Sequence, residues 1–270
     1  MGPENAPDSG TESRPGPRYL RDNAYLIACP PRCGSTMLVT LLRSHPQILS
    51  YGEVFGKGVI NGLTGRYQAL VDQDPAVREQ LLEIRTRTPV HFLYKFVLDA
   101  RAREVVGFKF KYDEMLLEEH ASLLDAIHCD TDIKIIFLWR ENLLARHLSH
   151  AIVEKVTGVT MLRATDRDLD IPPIRIDIDA LLSDIERQQQ RRARFRRLFS
   201  MHRSLELGYE SLLADPVTER GRLTDFLGVN EHPLAPATKK NVQRPIHEAI
   251  SNFQEVRAAL KGAGLESFCE

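Results

Sequence analysis

Residues 24–46, AYLIACPPRCGSTMLVTLLRSHP, hold the densest chemistry of the 270-residue chain. An apolar run over 24–29 passes through Pro30, Pro31, Arg32, Cys33 and Gly34 into Ser35 and Thr36, where a helical pattern starts. A turn between a strand end and a helix N-terminus presents backbone N–H groups and the positive end of the helix dipole, and that combination binds anions. Ser35 and Thr36 add hydroxyls able to cap the helix. Against the Walker A pattern GxxxxGK[ST], with Gly34 on the second glycine, Cys29 stands at the first glycine and Ser35 at the lysine. ATPases and kinases need that lysine on the β/γ-phosphates and a Ser or Thr on Mg²⁺. Here the cation comes earlier, as Arg32, so the spacing suits a shorter phosphate chain held without a metal. Two other readings stay open at this point: a capped helix with a solvated Arg32, and a kinase-like or non-catalytic P-loop nucleotide-binding protein.

Such a loop works only if a sheet presents it. Short apolar runs at 24–29, 48–51, 105–110, 133–139 and 204–209 read as strands, and they do not alternate strictly, as in a sheet covered on both faces. Helical patterns lie between them at 36–44, 75–86, 89–101, 113–128, 142–157, 177–201, 216–227 and 251–261. Strand–helix alternation predicts an α/β fold: a P-loop-like central parallel sheet of about five strands flanked by helices. Residues 157–176 read as a long loop, of the kind that in a compact domain is often functional or mobile. Residues 1–20, rich in Pro, Gly and Ser, read as a disordered tail, and 21–270 as a single domain.

Further matches follow in order along the chain. Pro31-Arg32-Cys33-Gly34-Ser35-Thr36 resembles the PRSGST/PKSGTT loop of sulfotransferases that use 3′-phosphoadenosine-5′-phosphosulfate (PAPS), with Cys33 in place of the usual Ser. Ser44-His45-Pro46 with Gly52-Glu53 is similar to the SHP…GE segment of bacterial carbohydrate sulfotransferases of the nodulation-factor type. Gly107-Phe108-Lys109 resembles that group's GFK strand. Ile136-Phe137-Leu138-Trp139-Arg140, with Ser149 beyond it, resembles the family's second signature. Tyr209-Glu210-Ser211-Leu212 with Asp215-Pro216 is similar to its YEDL…DP segment. Lys239-Lys240, Arg244-Pro245 and residues 252–256 resemble its closing segment.

The resemblance implies a sulfotransferase fold and transfer of a sulfuryl group from PAPS to a hydroxyl of a carbohydrate, glycolipid or other small metabolite, with adenosine 3′,5′-bisphosphate (PAP) as product and no metal. Sulfuryl transfer needs a held phosphate, a base for the acceptor proton and cations near the leaving oxygen. The residues at 32–36 would hold the donor's 5′-phosphosulfate: Arg32, Cys33, Gly34, Ser35 and Thr36. A thiol at Cys33 is a weaker donor than a hydroxyl. Arg140 and Ser149 would hold the 3′-phosphate, although nine residues of helix alone would keep them apart. Lys239, Lys240 and Arg244 are further candidates for it, and Tyr209 is one for the adenine. Glu53 follows a strand and Gly52, which in a parallel sheet sets it at the same carboxyl edge as the loop, and it is the expected base. His45 is the second choice, though it reads more naturally as a helix C-terminal cap. Lys109 is preferred over Lys111 as the cation at the sulfuryl group. The catalytic set is thus Glu53, Lys109 and Arg32.

Composition narrows the partners. Lys and Arg total 36 against 37 Asp and Glu, so a generally basic nucleic-acid binder is excluded and a local anion site is not. Of the basic residues 27 are Arg, several of them in the run 187–197; this run reads first as a solvated helix face and second as a surface for lipid headgroups or an anionic acceptor. Asp125, His128, Cys129 and Asp130 lack metal-ligand spacing. Four Cys without CxxC spacing suit a reducing, cytoplasmic setting, and neither a transmembrane run nor a signal peptide is expected. The resemblance is compatible with a homodimer.

Overall fold

The computed structural model describes residues 23–99, 103–160, 162–163, 165–235, 238–239 and 244–269. The expected tail at 1–20 lies outside them, as does Lys240.

The first strand, β1 (Ala24–Cys29), is buried at every position. Its residues divide by the two-residue period of a strand: Ala24, Leu26 and Ala28 enter one apolar cluster, and Tyr25, Ile27 and Cys29 another. Both faces of the strand are therefore covered, which is why its sequence is a continuous apolar run. β1 sits at the middle of a parallel sheet with β2 (Ile48–Tyr51), β3 (Val105–Lys111), β4 (Lys134–Trp139) and β6 (Ser204–Gly208), in the order β2-β3-β1-β4-β6. β5 (Leu162–Arg163) and β7 (Thr238–Lys239) form a separate antiparallel pair. The register sets Lys109 beside Ile27 and Lys111 beside Cys29, at the end of β1 that leads into the loop.

Gly107 is dictated by this packing. A Cβ there would lie 2.4 Å from both the carbonyl oxygen and the ring of Tyr25 in the adjacent strand, so only glycine lets β3 pass the buried tyrosine.

On one face of the sheet, α1 (Ser35–Arg43) and α10 (Pro216–Leu227) bury Leu38, Leu42, Leu223 and Leu227. The other face carries α2 (Gly65–Gln73), α3 (Ala76–Arg87), α4 (Pro89–Phe92), α5 (Tyr112–Met115) and α6 (Ala121–Cys129) around an aromatic cluster that includes Phe55, Phe92, Phe108 and Phe110. The C-terminal half of α8 (Ile178–Leu198) joins this cluster through Phe195, stacked on Tyr112 with ring centroids 4.7 Å apart. A third cluster binds α7 (Leu143–Ile152), the N-terminal half of α8 and α12 (Phe253–Gly262). α9 (Tyr209–Ala214) follows β6 directly, and α11 (Ile246–Ala249) precedes α12.

Three elements depart from expectation. The helix expected at 113–128 is divided between α5 and α6, because Glu114 O accepts from Leu117 N and from the buried His120 Nδ1 instead of continuing an α ladder. α2 buries Val71 alone, so its apolar period is too faint to read. The long loop at 157–176 is laced down rather than free. β5 pairs with β7, and Ile174 exchanges backbone bonds with Ala249 and Ser251. Those partners lie some 75 residues away, out of reach of any local pattern.

Candidate active site

All five strands of the main sheet run the same way, so the chain segments leaving them gather at one edge, where open α/β sheets hold ligands. The loop after β1 is bent by two left-handed residues, Arg32 at φ 65° and Gly34 at φ 86°. For a non-glycine residue that conformation costs about 1–2 kcal/mol, so its surroundings must hold Arg32 in place. Arg32 Nε donates to Ser149 Oγ at 3.1 Å and its Nη1 to Thr160 O at 2.6 Å. Gly34 is packed under Tyr209: a Cβ would come 2.3 Å from the ring. No side chain caps the N-terminus of α1, which follows immediately.

Beside the loop stands a chain of charges. Lys109 Nζ lies 2.8 Å from Glu53 Oε1 and 3.4 Å from Thr36 Oγ1. Lys111 Nζ lies 2.9 Å from Glu53 Oε2 and 3.0 Å from Glu114 Oε1. Two lysines of one strand reach the same carboxylate because residues i and i+2 share a face. Burial alone would raise the pKa of Glu53, but Lys109 and Lys111 outweigh it and hold the carboxyl at about 2. At Glu114 the balance is reversed: burial dominates, Lys111 opposes it, and the carboxyl is pushed up. Burial would lower Lys111, and the two carboxylates raise it above the usual lysine range.

Arg140 follows β4 and stands 5.0 Å over the Tyr209 ring. Its Nε is buried and has no hydrogen-bond partner; Glu210 Oε1 is 3.6 Å away. Glu210 pairs with Arg140 through Oε1 and accepts from the backbone of Glu141 through Oε2 at 2.9 Å, fastening the turn into α7. The fold brings Arg32, Ser149, Arg140, Tyr209 and Thr36 around one loop, with Glu53 and Lys109 beside it. Arg140 and Ser149, expected as a pair, take different partners here: Ser149 meets Arg32, and Arg140 meets Tyr209.

The Cys33 side chain is fully buried beneath the loop, where it contacts Cys29 and Ser35. Ser35, also buried, turns its hydroxyl to the same two thiols. Thr36 is therefore the loop hydroxyl left toward Lys109. Lys239 is described only as backbone, paired with Leu162. Arg244 lies 3.7 Å from the exposed Asp170. His45 is spoken for: its Nδ1 accepts from Gln47 N at 3.1 Å, which leaves Nε2 to donate to Asn230 O at 2.8 Å. It ties the end of α1, with both ring nitrogens engaged.

The arginine run on α8 keeps Arg187, Arg194, Arg196 and Arg197 exposed, as a solvated face would, while several of its charges also meet partners. Arg187 pairs with Asp184, Arg191 with Asp113 and Arg196 with Glu206, while Arg192 lies 3.8 Å over the Trp139 ring. Asp130 accepts from Tyr94 OH. Among the described residues no cluster of His, Cys, Asp or Glu has metal-site geometry, and no helix is long and apolar enough to cross a membrane.

Sequence reasoning missed Arg146, Asp184, Glu114 and Glu210. Arg146 and Asp184 meet across two helices with no motif or spacing to mark them, Glu114 pairs with Lys111 three residues before it, and Glu210 stands inside the YEDL-like segment, which gives it no role of its own.

The sulfotransferase family's sequence profile matches residues 26–233, a span that takes in the loop, Glu53, Lys109, Arg140, Ser149 and Tyr209. The chain belongs to the sulfotransferase family, and sulfuryl transfer is its class of reaction. Nodulation protein H of Rhizobium meliloti (strain 1021) is 25% identical over 253 residues, 93% of this chain and 96% of that protein. Nodulation protein H of Rhizobium tropici is 22% identical over 248 residues, 91% and 92% of the two chains. A solved sulfotransferase domain from the curacin biosynthetic pathway shares the fold, with a TM-score of 0.50 at 14% identity over 90% of this chain and 91% of that one.

Proposed function

We propose that the protein, a single domain over 21–270, moves a sulfuryl group from PAPS to a hydroxyl of a carbohydrate, glycolipid or similar small metabolite and releases PAP. The observation that carries this reading is the continuous chain Glu53–Lys109–Thr36, which joins a carboxylate, an ammonium and the anion loop within 2.8 and 3.4 Å contacts. PAPS, when bound, supplies the sulfuryl group on a phosphate leaving group. The fit of such a donor rests on the start of α1, which no side chain caps, and on Arg140, whose Nε makes no hydrogen bond and only a 3.6 Å ion pair with Glu210.

In this reading the backbone of residues 32–36 holds the 5′-phosphate, with Arg32 and Thr36. Arg140 and Ser149 serve the 3′-phosphate, assisted by Lys239, Lys240 and Arg244 from the closing segment. Tyr209 borders the adenine. Lys109 offers charge to the leaving oxygen, where a preorganised cation is worth most. Glu53 takes the acceptor's proton. With both lysines on it Glu53 is a poor base; when Lys109 turns to the loop, Glu53 keeps only Lys111 and its proton affinity rises. The lysine of a nucleotide kinase has no counterpart in the loop, since Ser35 occupies that position and faces the thiols.

The experiment incubates the protein with PAPS and a panel of oligosaccharides and glycolipids, and follows product mass for the gain of one SO₃. PAP is expected to raise Tm through binding to the folded state. No Tm rise with PAP overturns the donor assignment, and a rise with Mg²⁺–ATP alone favours the kinase-like alternative. A product sulfated only on nitrogen overturns the hydroxyl acceptor.

A further inference from the structure

Arg146 is among the largest fully buried side chains of the protein, at 1% exposure. It projects from α7 and does two things. Its Nη1 donates to Pro31 O at 3.1 Å, and its Nη2 is ion-paired with Asp184 on α8. Asp184 is itself buried and accepts from His147 at 2.8 Å, Arg187 at 2.6 Å and Gln188 at 3.1 Å. Burial opposes ionisation of Asp184, and the donors around it prevail, holding its carboxyl well below the usual range.

As a stabilising device this pair is poor. Buried ion pairs roughly break even against apolar packing, and here Arg146 Nε is left buried with no partner at all. What the pair does deliver is geometric. A trans peptide points its C=O and the next N–H in opposite directions. Fastening Pro31 O inward onto Arg146 therefore turns the Arg32 N–H outward, to the open side of the loop. The same helix face, three residues on, presents Ser149 to the Arg32 side chain. Arg32 is the residue held at φ 65°, so both ties act on the one strained point of the loop.

We infer that Arg146 and Asp184 are positioning residues that aim the backbone of the phosphate loop at its anion, through the Pro31 carbonyl. The inference rests on the reading of that loop as the PAPS and PAP site. Arg146 is closed off from the ligand and acts only through the loop, and Asp184 acts only through Arg146. Because the loop grips the donor alone, loss of the pair falls on donor affinity and leaves the acceptor untouched.

The test compares Arg146→Met, Arg146→Lys and Asp184→Asn with Leu181→Ala, a buried residue of α8 with no link to the loop. PAP affinity is measured by calorimetry, Tm without ligand, and KM for PAPS and for acceptor separately. Arg146→Met and Arg146→Lys are expected to weaken PAP at least tenfold and to raise KM for PAPS by a similar factor, with acceptor KM within twofold of wild type. Asp184→Asn follows in the same direction with a smaller change, and Leu181→Ala lowers Tm with PAP affinity intact. Wild-type affinity for PAP in both Arg146 variants overturns the positioning role, as does an equal loss in Leu181→Ala, which would make the effect one of general stability. A wild-type protein that binds no PAP overturns the donor reading itself, a distinct failure.

Discussion

At the scale of single residues, Glu53 decides the most. It is only 28% exposed and is held by two ammonium groups, so its charge is both available and restrained. Glu53→Gln is expected to lower kcat by about 10²–10⁴, the usual worth of a positioned base, with PAP affinity retained. Unchanged turnover would remove Glu53 from that role. The same pairing gives a stability signature. The carboxyl's folded value, about 2, lies below its ordinary value of 4.5. A depressed carboxylate stabilises the fold above its ordinary pKa and loses that contribution as pH falls toward the folded value. Wild type should therefore exceed Glu53→Gln in Tm at pH 7, and the gap should narrow below pH 4.5 and close toward pH 2, as followed by thermal melts across that range. Gly34 works at the same scale: with φ at 86° and the Tyr209 ring against its Cα, Gly34→Ala is expected to abolish the Tm rise produced by PAP while leaving the secondary structure unchanged by circular dichroism.

At the scale of elements, β3 and α8 carry the checkable claims. β3 places Lys109 and Lys111 only because Gly107 lets it lie against Tyr25 of β1. Gly107→Ala must displace backbone as well as ring, and a loss of about 1–3 kcal/mol, typical of overpacking, is expected in urea unfolding. α8 reads from its sequence as a basic surface, yet Asp113 and Glu206 reach it from other elements, and Asp184 of α8 itself pairs with Arg187. Its charges go into packing: Arg192 over Trp139 ties α8 to the end of β4, just before Arg140. Arg192→Ala should cost about 1–2 kcal/mol by chemical denaturation, the worth of a partly desolvated cation–π contact.

At the scale of the molecule, a formal charge of −1 coexists with a site that gathers Arg32, Lys109 and Arg140 from three separate stretches of chain. Acidic partners elsewhere, such as Asp184 and Glu206, balance several of the remaining arginines. A multiply anionic donor should feel the local field rather than the net charge, so PAP affinity is expected to fall severalfold between 50 and 500 mM salt. Affinity flat across that range in calorimetry would argue against charge as the main grip. The segment 157–176 belongs to this scale too, since Thr160 O meets Arg32 while Ile174 is bound to Ala249 and Ser251. It links the loop to the C-terminal helices.

What the sequence determined by itself was everything written in contiguous residues. The parallel sheet followed from apolar runs in both phases of a strand, the loop after β1 from a strand–turn–helix with Gly34 at its bend, and the placing of Glu53 and Lys109 at the loop's edge from their following or ending strands. Helix boundaries near His120 and the faint α2 escaped, because a side-chain donor to a backbone carbonyl and a single buried Val71 leave no periodic trace. Only the tertiary structure decided that Cys33 faces inward, that Ser149 meets Arg32, that Arg191 and Arg196 of α8 pair with Asp113 and Glu206, and that Arg146 and Asp184 stand behind Pro31. Arg146 and Asp184 are 38 residues apart on different helices. The partner of a buried charge is set by how helices pack on a sheet, and the packing angle of two helices is a property of their whole contact surface, which no local run of residues encodes.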